Sequence, residues 1–282
     1  MPKIRFMGAG STVFARNVLG DCMCTPALRD SDIALYDIDP KRLEESEIIL
    51  SAINKNTNEG RATIRTYLGV ENRKEALRGA DFVVDAIHVG LYEPCTVTDF
   101  EIPKKYGLRQ TIGDTLGIGG IMRALRTIPV LRDFAEDMEE VCPNALFLNY
   151  PTPMAMLSGY MQRYTNIKTV GLCHSVQVCS EGLLKGLGME DKLEGRKELI
   201  AGINHMAWLL EIYDKDGYLV DMNNMNLEIF GVVNKSEEIG VNFFENPNVP
   251  QQIRDRGRNE DLVDFRLNYS FRRAEGYYLT NR

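Results

Sequence analysis

KIRFMGAGSTVF, Lys3 to Phe14, carries a short apolar run into two glycines, Gly8 and Gly10, with helix-compatible residues from about Thr12. Such a stretch reads as a strand feeding a tight turn and then a helix. Gly8 permits the turn. Gly10 lets an anionic group approach the backbone N–H groups at the helix N-terminus. The third glycine of G-x-G-x-x-G is absent, because Val13 stands in its place. On its own, therefore, the fragment fits a purely structural strand-to-helix turn as well as a phosphate cradle.

The sequence on either side of this turn decides the fold class. DIALYDID, Asp32 to Asp39, predicts a second strand, after which Asp39-Pro40 supplies an N-cap and a helix-starting proline for KRLEESEIILSAI. ATIRTYLG, DFVVDAIHVG, ALFLNY and KTVGLCH are further strand candidates, most of them separated by helical sequence. Alternating apolar strands and helices predict an α/β fold: a Rossmann-like, doubly wound parallel sheet covered on both faces. Ligands in such sheets bind beyond the carboxyl ends of the strands. Those ends are Gly8-Ala9-Gly10, Asp37, His88-Val89-Gly90, Asn149-Tyr150 and Cys173-His174. Asp37 follows Val13 by 24 residues, where a carboxylate would bind the ribose hydroxyls of NAD and repel the extra phosphate of NADP. Asp39 already fills the helix-capping role.

The pattern changes near Glu198. LIAGINHMAWLLEIYDKDGYLV predicts antiparallel strands, with Asp216-Gly217 as a hairpin turn. A polar stretch from Met222 to about Asn259 and a helix from Glu260 to about Ala274 follow. The expected division is a dinucleotide-binding domain over 1–197 and the start of a smaller α+β domain over 198–282, the latter supplying part of a substrate and metal site.

Composition narrows the class of function. The chain has 282 residues, 44% of them hydrophobic and 26% charged, the balance of an ordinary soluble protein. No apolar run approaches the roughly 18 residues that would cross a bilayer, and the N-terminus lacks a signal-peptide plan. A net charge of −7 argues against nucleic acid as the main partner; a basic pocket for a small anion stays compatible with it. Six scattered cysteines without a CxxC pair fit reduced thiols in a cytoplasmic protein. Cys22 and Cys24 read as small packing residues.

Three further segments call for a ligand or a structural excuse. QTIGDTLGIGGIMRALRTIP, Gln110 to Pro129, is a glycine-rich loop entering a helix that places Ile121, Leu125 and Ile128 on one face and Arg123 and Arg126 elsewhere. Asp114 in that loop suits acid catalysis or hydroxyl binding, and equally a turn cap. Asn149 in LFLNYPTPM ends a strand, where an amide serves either a sugar hydroxyl or a turn. In TVGLCHSVQ, Cys173 and His174 would face opposite sides of a strand, which makes them a poor nucleophile and base. His205, in GINHMAW, is a second partner for Cys173 in binding a transition metal. Composition alone favours a buried cysteine and a satisfied core histidine.

Together these segments resemble glycoside hydrolase family four, the NAD- and metal-dependent glycosidases that stand outside the usual two-carboxylate mechanism. The resemblance runs from Lys3 to about Tyr278 and is carried by GAGSTVF, YDIDPKRLEES, YEPCTVTDFEIPKKYGL, GDTLGIGGIMRALRTIP, NYPTPMAM, VGLCHSVQ and AGINHMAW. Within the family it is most similar to the bacterial α-galactosidases and less to the 6-phosphoglycosidases. By this resemblance Gly8, Gly10, Ser11 and Asp37 match the NAD site, and Cys173 and His205 match ligands of a divalent metal, usually Mn²⁺. Asp114 matches the acid that helps the glycosidic oxygen leave. Asn149 and Arg123 belong to sugar-binding motifs. The implied reaction removes hydride from C3 of a small sugar substrate, eliminates the aglycone after loss of the C2 proton, adds water and returns the hydride. Family members also suggest a homo-oligomer.

Two departures stand out. Thr152 precedes Pro153 where the family commonly has asparagine. Relatives also run well past 400 residues, and the base that takes the C2 proton would fall at about Arg282 or beyond. A catalytically silent NAD-binding module is the reading from a different class, and a 6-phosphoglycosidase or a 2-hydroxyacid dehydrogenase of related fold is the rival among enzymes.

Overall fold

The computed structural model describes residues 1–108, 112–186 and 188–220. Its first compact unit comprises Met1–Leu108 and Gly113–Leu172, and the second takes in Ile112 and the chain from Cys173 onward. The predicted helix at 260–274, the polar stretch before it and the C2-proton base expected near Arg282 lie outside the described residues. The expected change of pattern coincides with the first antiparallel strand at Lys197, whereas the compact units divide earlier, after Leu172.

The first unit is built on six parallel strands: β1 (Lys3–Met7), β2 (Asp32–Asp37), β3 (Thr63–Leu68), β4 (Phe82–Asp85), β5 (Leu146–Asn149) and β6 (Lys168–Gly171). Their spatial order is β3-β2-β1-β4-β5-β6, the doubly wound arrangement with its switch point between β1 and β4. The central strands are the apolar runs the sequence marks: four of five residues of β1 and five of six of β2 are buried. Strands β3 and β6, at the edges, alternate exposed and half-buried positions, as a one-sided edge requires.

Helices cover both faces. Helix α1 (Thr12–Cys24) and α2 (Pro40–Thr57) pack on one face around Phe6, Leu19, Leu35 and Leu50. Asp39 caps α2 by accepting the Arg42 N–H at 3.1 Å, with Pro40 in the first turn, as predicted. Helix α3 (Arg73–Leu77), α5 (Gly117–Val141) and α6 (Met154–Tyr164) cover the other face around Phe134, Phe147 and Met161. Helix α4 (Val97–Lys105) packs on α5. Cys22 is half-buried against the first cluster as expected, while Cys24 is exposed and is not a packing residue.

Beneath the sheet, Arg5 is buried and ion-paired with Asp32 at 3.2 Å, and Arg65 also pairs with Asp32. One shared carboxylate thus neutralises charges at the amino ends of β1 and β3, away from the ligand-binding edge. Such a pair ties β1 to β2 but is costly to break from one side only.

The second unit contains α7 (Ser175–Gly186) and an antiparallel pair, β7 (Lys197–Ile203) and β8 (Met206–Tyr213). Two turns organise it. Asn204-His205 joins β7 to β8, with His205 in the left-handed region at φ 63. The predicted Asp216-Gly217 turn follows β8 and returns the chain to a bridge between Tyr213 and Leu219. Among the described residues no helix is long and apolar enough to cross a membrane.

Candidate active site

At the switch point the glycine turn is tightly built. Gly8 adopts φ +86 and its N–H donates to Tyr36 O at 2.9 Å, binding the turn to the end of β2. A Cβ on Gly8 would lie 2.7 Å from the carbonyl carbon of Ala86, so β4 leaves no room for one. Gly10 donates its N–H to Asp37 Oδ2 at 2.6 Å, and Ile38 and Asp39 donate theirs to Oδ1. Backbone donors therefore aim the Asp37 carboxylate at the glycine turn. Ser11 sits exposed at the N-cap of α1 without a side-chain capping bond, which leaves the first N–H groups of the helix for an anion. Val13, in place of the third glycine, is 64% exposed. Its side chain points away from the strand–helix contact that the missing glycine would serve. The cradle thus fits a dinucleotide's pyrophosphate and ribose.

A second group gathers past the end of β4 and at the start of α5. Arg123 is buried; its Nη1 lies 3.6 Å from Asp114 Oδ2 and donates to Thr96 Oγ1 at 3.4 Å. The Thr152 hydroxyl donates to Asp114 Oδ2 at 3.2 Å. His88 Nε2 meets Thr96 Oγ1 at 3.1 Å. Burial, then the nearby Arg123 and Arg126 charges, lower the His88 pKa, which keeps its imidazole neutral near pH 7. Arg126 clasps Asp99 with two N–H groups, at 2.6 and 3.3 Å, and donates to Val89 O. That carboxylate raises the Arg126 pKa, whereas burial lowers that of Arg123. Each arginine has a carboxylate of its own, so the group is electrically balanced.

Helix α5 carries Ile121 and Leu125 on one face and Arg123 on another; the first face is exposed, with Ile118 and Met122, while Arg123 and Ala124 point inward. An arginine with a half-buried acid and a buried hydroxyl for company takes the core side. Asn149 is wholly buried; its Nδ2 donates to Ser158 Oγ at 3.2 Å and Pro151 O at 3.4 Å. It offers no atom to a sugar here, and Thr152, flagged as a departure, makes the polar contact with Asp114 instead. Finally, β6 ends at Gly171, so Cys173 and His174 lie in the connection to α7 and strand alternation does not govern them.

In the second unit, Cys173 Sγ and His205 Nε2 stand 3.2 Å apart. The left-handed turn residue of the β7–β8 hairpin brings the imidazole to the thiol across 32 positions of sequence. Two soft or borderline donors converging in this way fit a divalent transition metal. Among the described residues no third His, Cys, Asp or Glu joins them, a donor set that leaves coordination positions for substrate oxygens. His205 Nδ1 is buried without a hydrogen-bond partner among those residues.

Sequence reasoning singled out Asp114, Arg123 and the cysteine–histidine pair, gave His88 no role, and missed Thr96 and the Arg126–Asp99 clasp. The strand-end rule already pointed at His88. Nothing in the spacing reveals that Thr96 and Asp99 fold back onto α5.

The fold is of the doubly wound, dinucleotide-binding kind, and the second unit adds a thiol–imidazole pair. The family model described as Family 4 glycosyl hydrolase matches residues 3–189. The chain belongs to that family. It is 63% identical over 217 residues to an alpha-galactosidase of Bacillus subtilis (strain 168), covering 77% of this chain and 49% of that protein. An alpha-galactosidase of Rhizobium meliloti (strain 1021) is 39% identical over 213 residues, covering 74% and 42%. Among solved structures, a 6-phospho-alpha-glucosidase from gut microorganisms in complex with NAD and Mn²⁺ has the same fold. Its TM-score is 0.69 at 19% identity, over 99% of this chain and 60% of that one. The chain spans about half the length of the curated relatives it matches.

Proposed function

We propose that this chain carries the cofactor- and metal-binding half of a glycosidase that cleaves α-galactosides with NAD and a divalent metal, Mn²⁺ by preference. The observation that carries the reading is the convergence of Cys173 and His205, 3.2 Å apart, in a chain whose first strand ends in a dinucleotide cradle. A dehydrogenase of related fold needs no such pair. When bound, NAD would accept and return a hydride at the sugar ring, and the metal would polarise the oxygens beside it. Gly8, Gly10 and the N-terminus of α1 bind the pyrophosphate, and Asp37 binds the ribose. Cys173 and His205 hold the metal. Asp114, oriented by Thr152 and Arg123, serves the departing oxygen as an acid in its protonated form; as a carboxylate it is the partner of Arg123. The balanced pairs Arg123–Asp114 and Arg126–Asp99 suit a neutral sugar better than a phosphorylated one, which would need an uncommitted cation. Six cysteines outside any disulfide and a thiol ligand belong in a reducing cytoplasm.

The test is cleavage of a chromogenic α-galactoside, under thiol reductant, with and without NAD⁺ and Mn²⁺. Cleavage that needs both supports the reading, while cleavage that survives chelation sinks it. NAD⁺ binding without turnover would assign the chain to the silent-module reading. Where turnover is found, Asp114→Asn should lower it by about 100-fold or more and leave NAD⁺ affinity unchanged, as checked by isothermal titration.

A further inference from the structure

Asp85 ends β4 and Asn149 ends β5, and the parallel register sets them directly opposite one another. Val83 and Phe147, two residues earlier on each strand, lie in the core under α5 and α6. Strand alternation therefore turns Asp85 and Asn149 to that same covered face. Both side chains are fully buried. Asp85 Oδ1 accepts a 3.3 Å hydrogen bond from Ile87 N–H. Among the described residues Asp85 Oδ2 and Asn149 Oδ1 have no partner. Two acceptors on residues paired across the sheet cannot satisfy each other unless a proton lies between them.

The surroundings favour that proton. Of the elements packed on this face, α5 brings Arg123 and Arg126, each already held by its own carboxylate. Helix α6 brings Ser158, and its Arg163 lies in the last turn, at the far end of the strands. The neighbouring register positions are Met7 on β1 and Gly171 on β6, neither of them charged. With burial the dominant influence, opposed by the Ile87 N–H, the Asp85 carboxyl is pushed up to about 8.

We propose that Asp85 is a neutral acid whose carboxyl proton bridges Oδ2 to Asn149 Oδ1, making it a positioning residue for the turn that carries Thr152 to Asp114. The path is short. Asn149 Nδ2 donates to Pro151 O, and the next residue, Thr152, donates to Asp114 Oδ2. The consequence for Asp114 rests on the glycosidase reading, but the bridge itself does not.

Infrared difference spectroscopy with ¹³C-labelled aspartate, on the wild type and Asp85→Asn, tests the bridge without requiring activity. The expected result is a protonated-carboxyl C=O band at pH 7 in the wild type that is missing from Asp85→Asn and ionises near pH 8. The substituted amide donates to Asn149 Oδ1 much as the carboxyl proton does, so fold and NAD⁺ binding should persist. A carboxyl titrating near 8 in the fold and near 4 in the unfolded chain holds its proton more tightly when folded. Its contribution to stability is therefore full at acidic pH and is lost as pH rises through that window. The wild type's thermal midpoint relative to Asp85→Asn should accordingly fall from pH 4 to pH 8. If the chain cleaves galactosides, an alkaline limb near pH 8 should disappear in Asp85→Asn; if it cleaves nothing, the infrared and thermal results decide alone. No band lost in the variant, or two parallel pH–stability curves, would overturn the proposal. Should Asp85→Asn fail to fold, ¹³C NMR titration of wild-type Asp85 decides instead, and titration near pH 4 refutes the bridge.

Discussion

Cys173→Ser is expected to remove tight Mn²⁺ binding from this chain while leaving NAD⁺ binding intact. A metal site of this kind needs a thiolate, which brings both charge and a polarisable donor. Serine keeps the approximate shape but stays a neutral hydroxyl near pH 7, and His205 Nε2, now 3.2 Å from sulfur, would be left as the lone strong donor. Loss of a group that merely orients a ligand costs about 10–100-fold in affinity. Loss of the thiolate itself should exceed about 100-fold, and any metal-dependent turnover should go with it. Electron paramagnetic resonance of free Mn²⁺ measures the first effect, and titration with NAD⁺ supplies the control. Unchanged Mn²⁺ affinity would reduce the pair to a thiol–imidazole contact and remove the observation on which the glycosidase reading stands.

The parts of this molecule legible in the sequence are those fixed by local chemistry. Gly8 must be glycine because its backbone is left-handed and β4 crowds it, and Asp39-Pro40 starts a helix wherever it occurs. The inner strands β1, β2 and β4 follow from apolar runs that are buried on both faces. What could not be read depends on contacts between distant segments. Helical periodicity put Ile121 and Leu125 on one face and Arg123 on another but did not say which face meets the core; the default for a chain with no buried ions is the apolar one. Asp114, Thr96 and Asp99 together reverse it, by giving α5 a polar face that is drier than its apolar one. The Cys173–His205 contact lay equally beyond spacing arguments, because a hairpin turn at Asn204-His205 brings the histidine to it. Asn149 shows the opposite failure. A polar residue at a strand end invited a ligand-binding role, yet its neighbours across the sheet and on α6 enclose it completely.

The same reading explains why cofactor binding and turnover are separable here. The cradle around Gly8, Gly10 and Asp37 is built from β1, β2, β4, α1 and α2, whose Ser46 hydroxyl donates to Ala9 O, and the first unit contains all of them. The chain covers roughly half of its curated relatives, so a complete cofactor cradle does not entail a complete sugar site. Function resides in the finished site, not in the fold that supports it. A binding experiment therefore tests the cradle, and only the galactoside assay tests the rest.

Gly8→Ala should be the most damaging small substitution in the cradle. Its left-handed backbone, at φ +86, costs an alanine about 1–2 kcal/mol. The new Cβ would also stand 2.7 Å from the Ala86 carbonyl carbon and 2.8 Å from both Ala86 O and Ile87 N. These are backbone atoms at the exit of β4, and no rotamer change can relieve the contact. Overpacking of this kind adds about 1–3 kcal/mol, for a total loss of about 2–5 kcal/mol. In a chain of this size that corresponds to a fall of roughly 5–15 °C in thermal midpoint, readable by circular dichroism. Relief by displacement would move β4 away from β1 at the switch point, which is where the dinucleotide sits, so NAD⁺ affinity should drop as well. Gly20→Ala is the matched control, because a Cβ there meets nothing within 4 Å. Lying inside α1, it should gain up to about 1 kcal/mol from helix propensity. If both substitutions behave alike, close packing of β1 on β4 does not hold the cradle; opposite signs would tie cofactor binding to that contact.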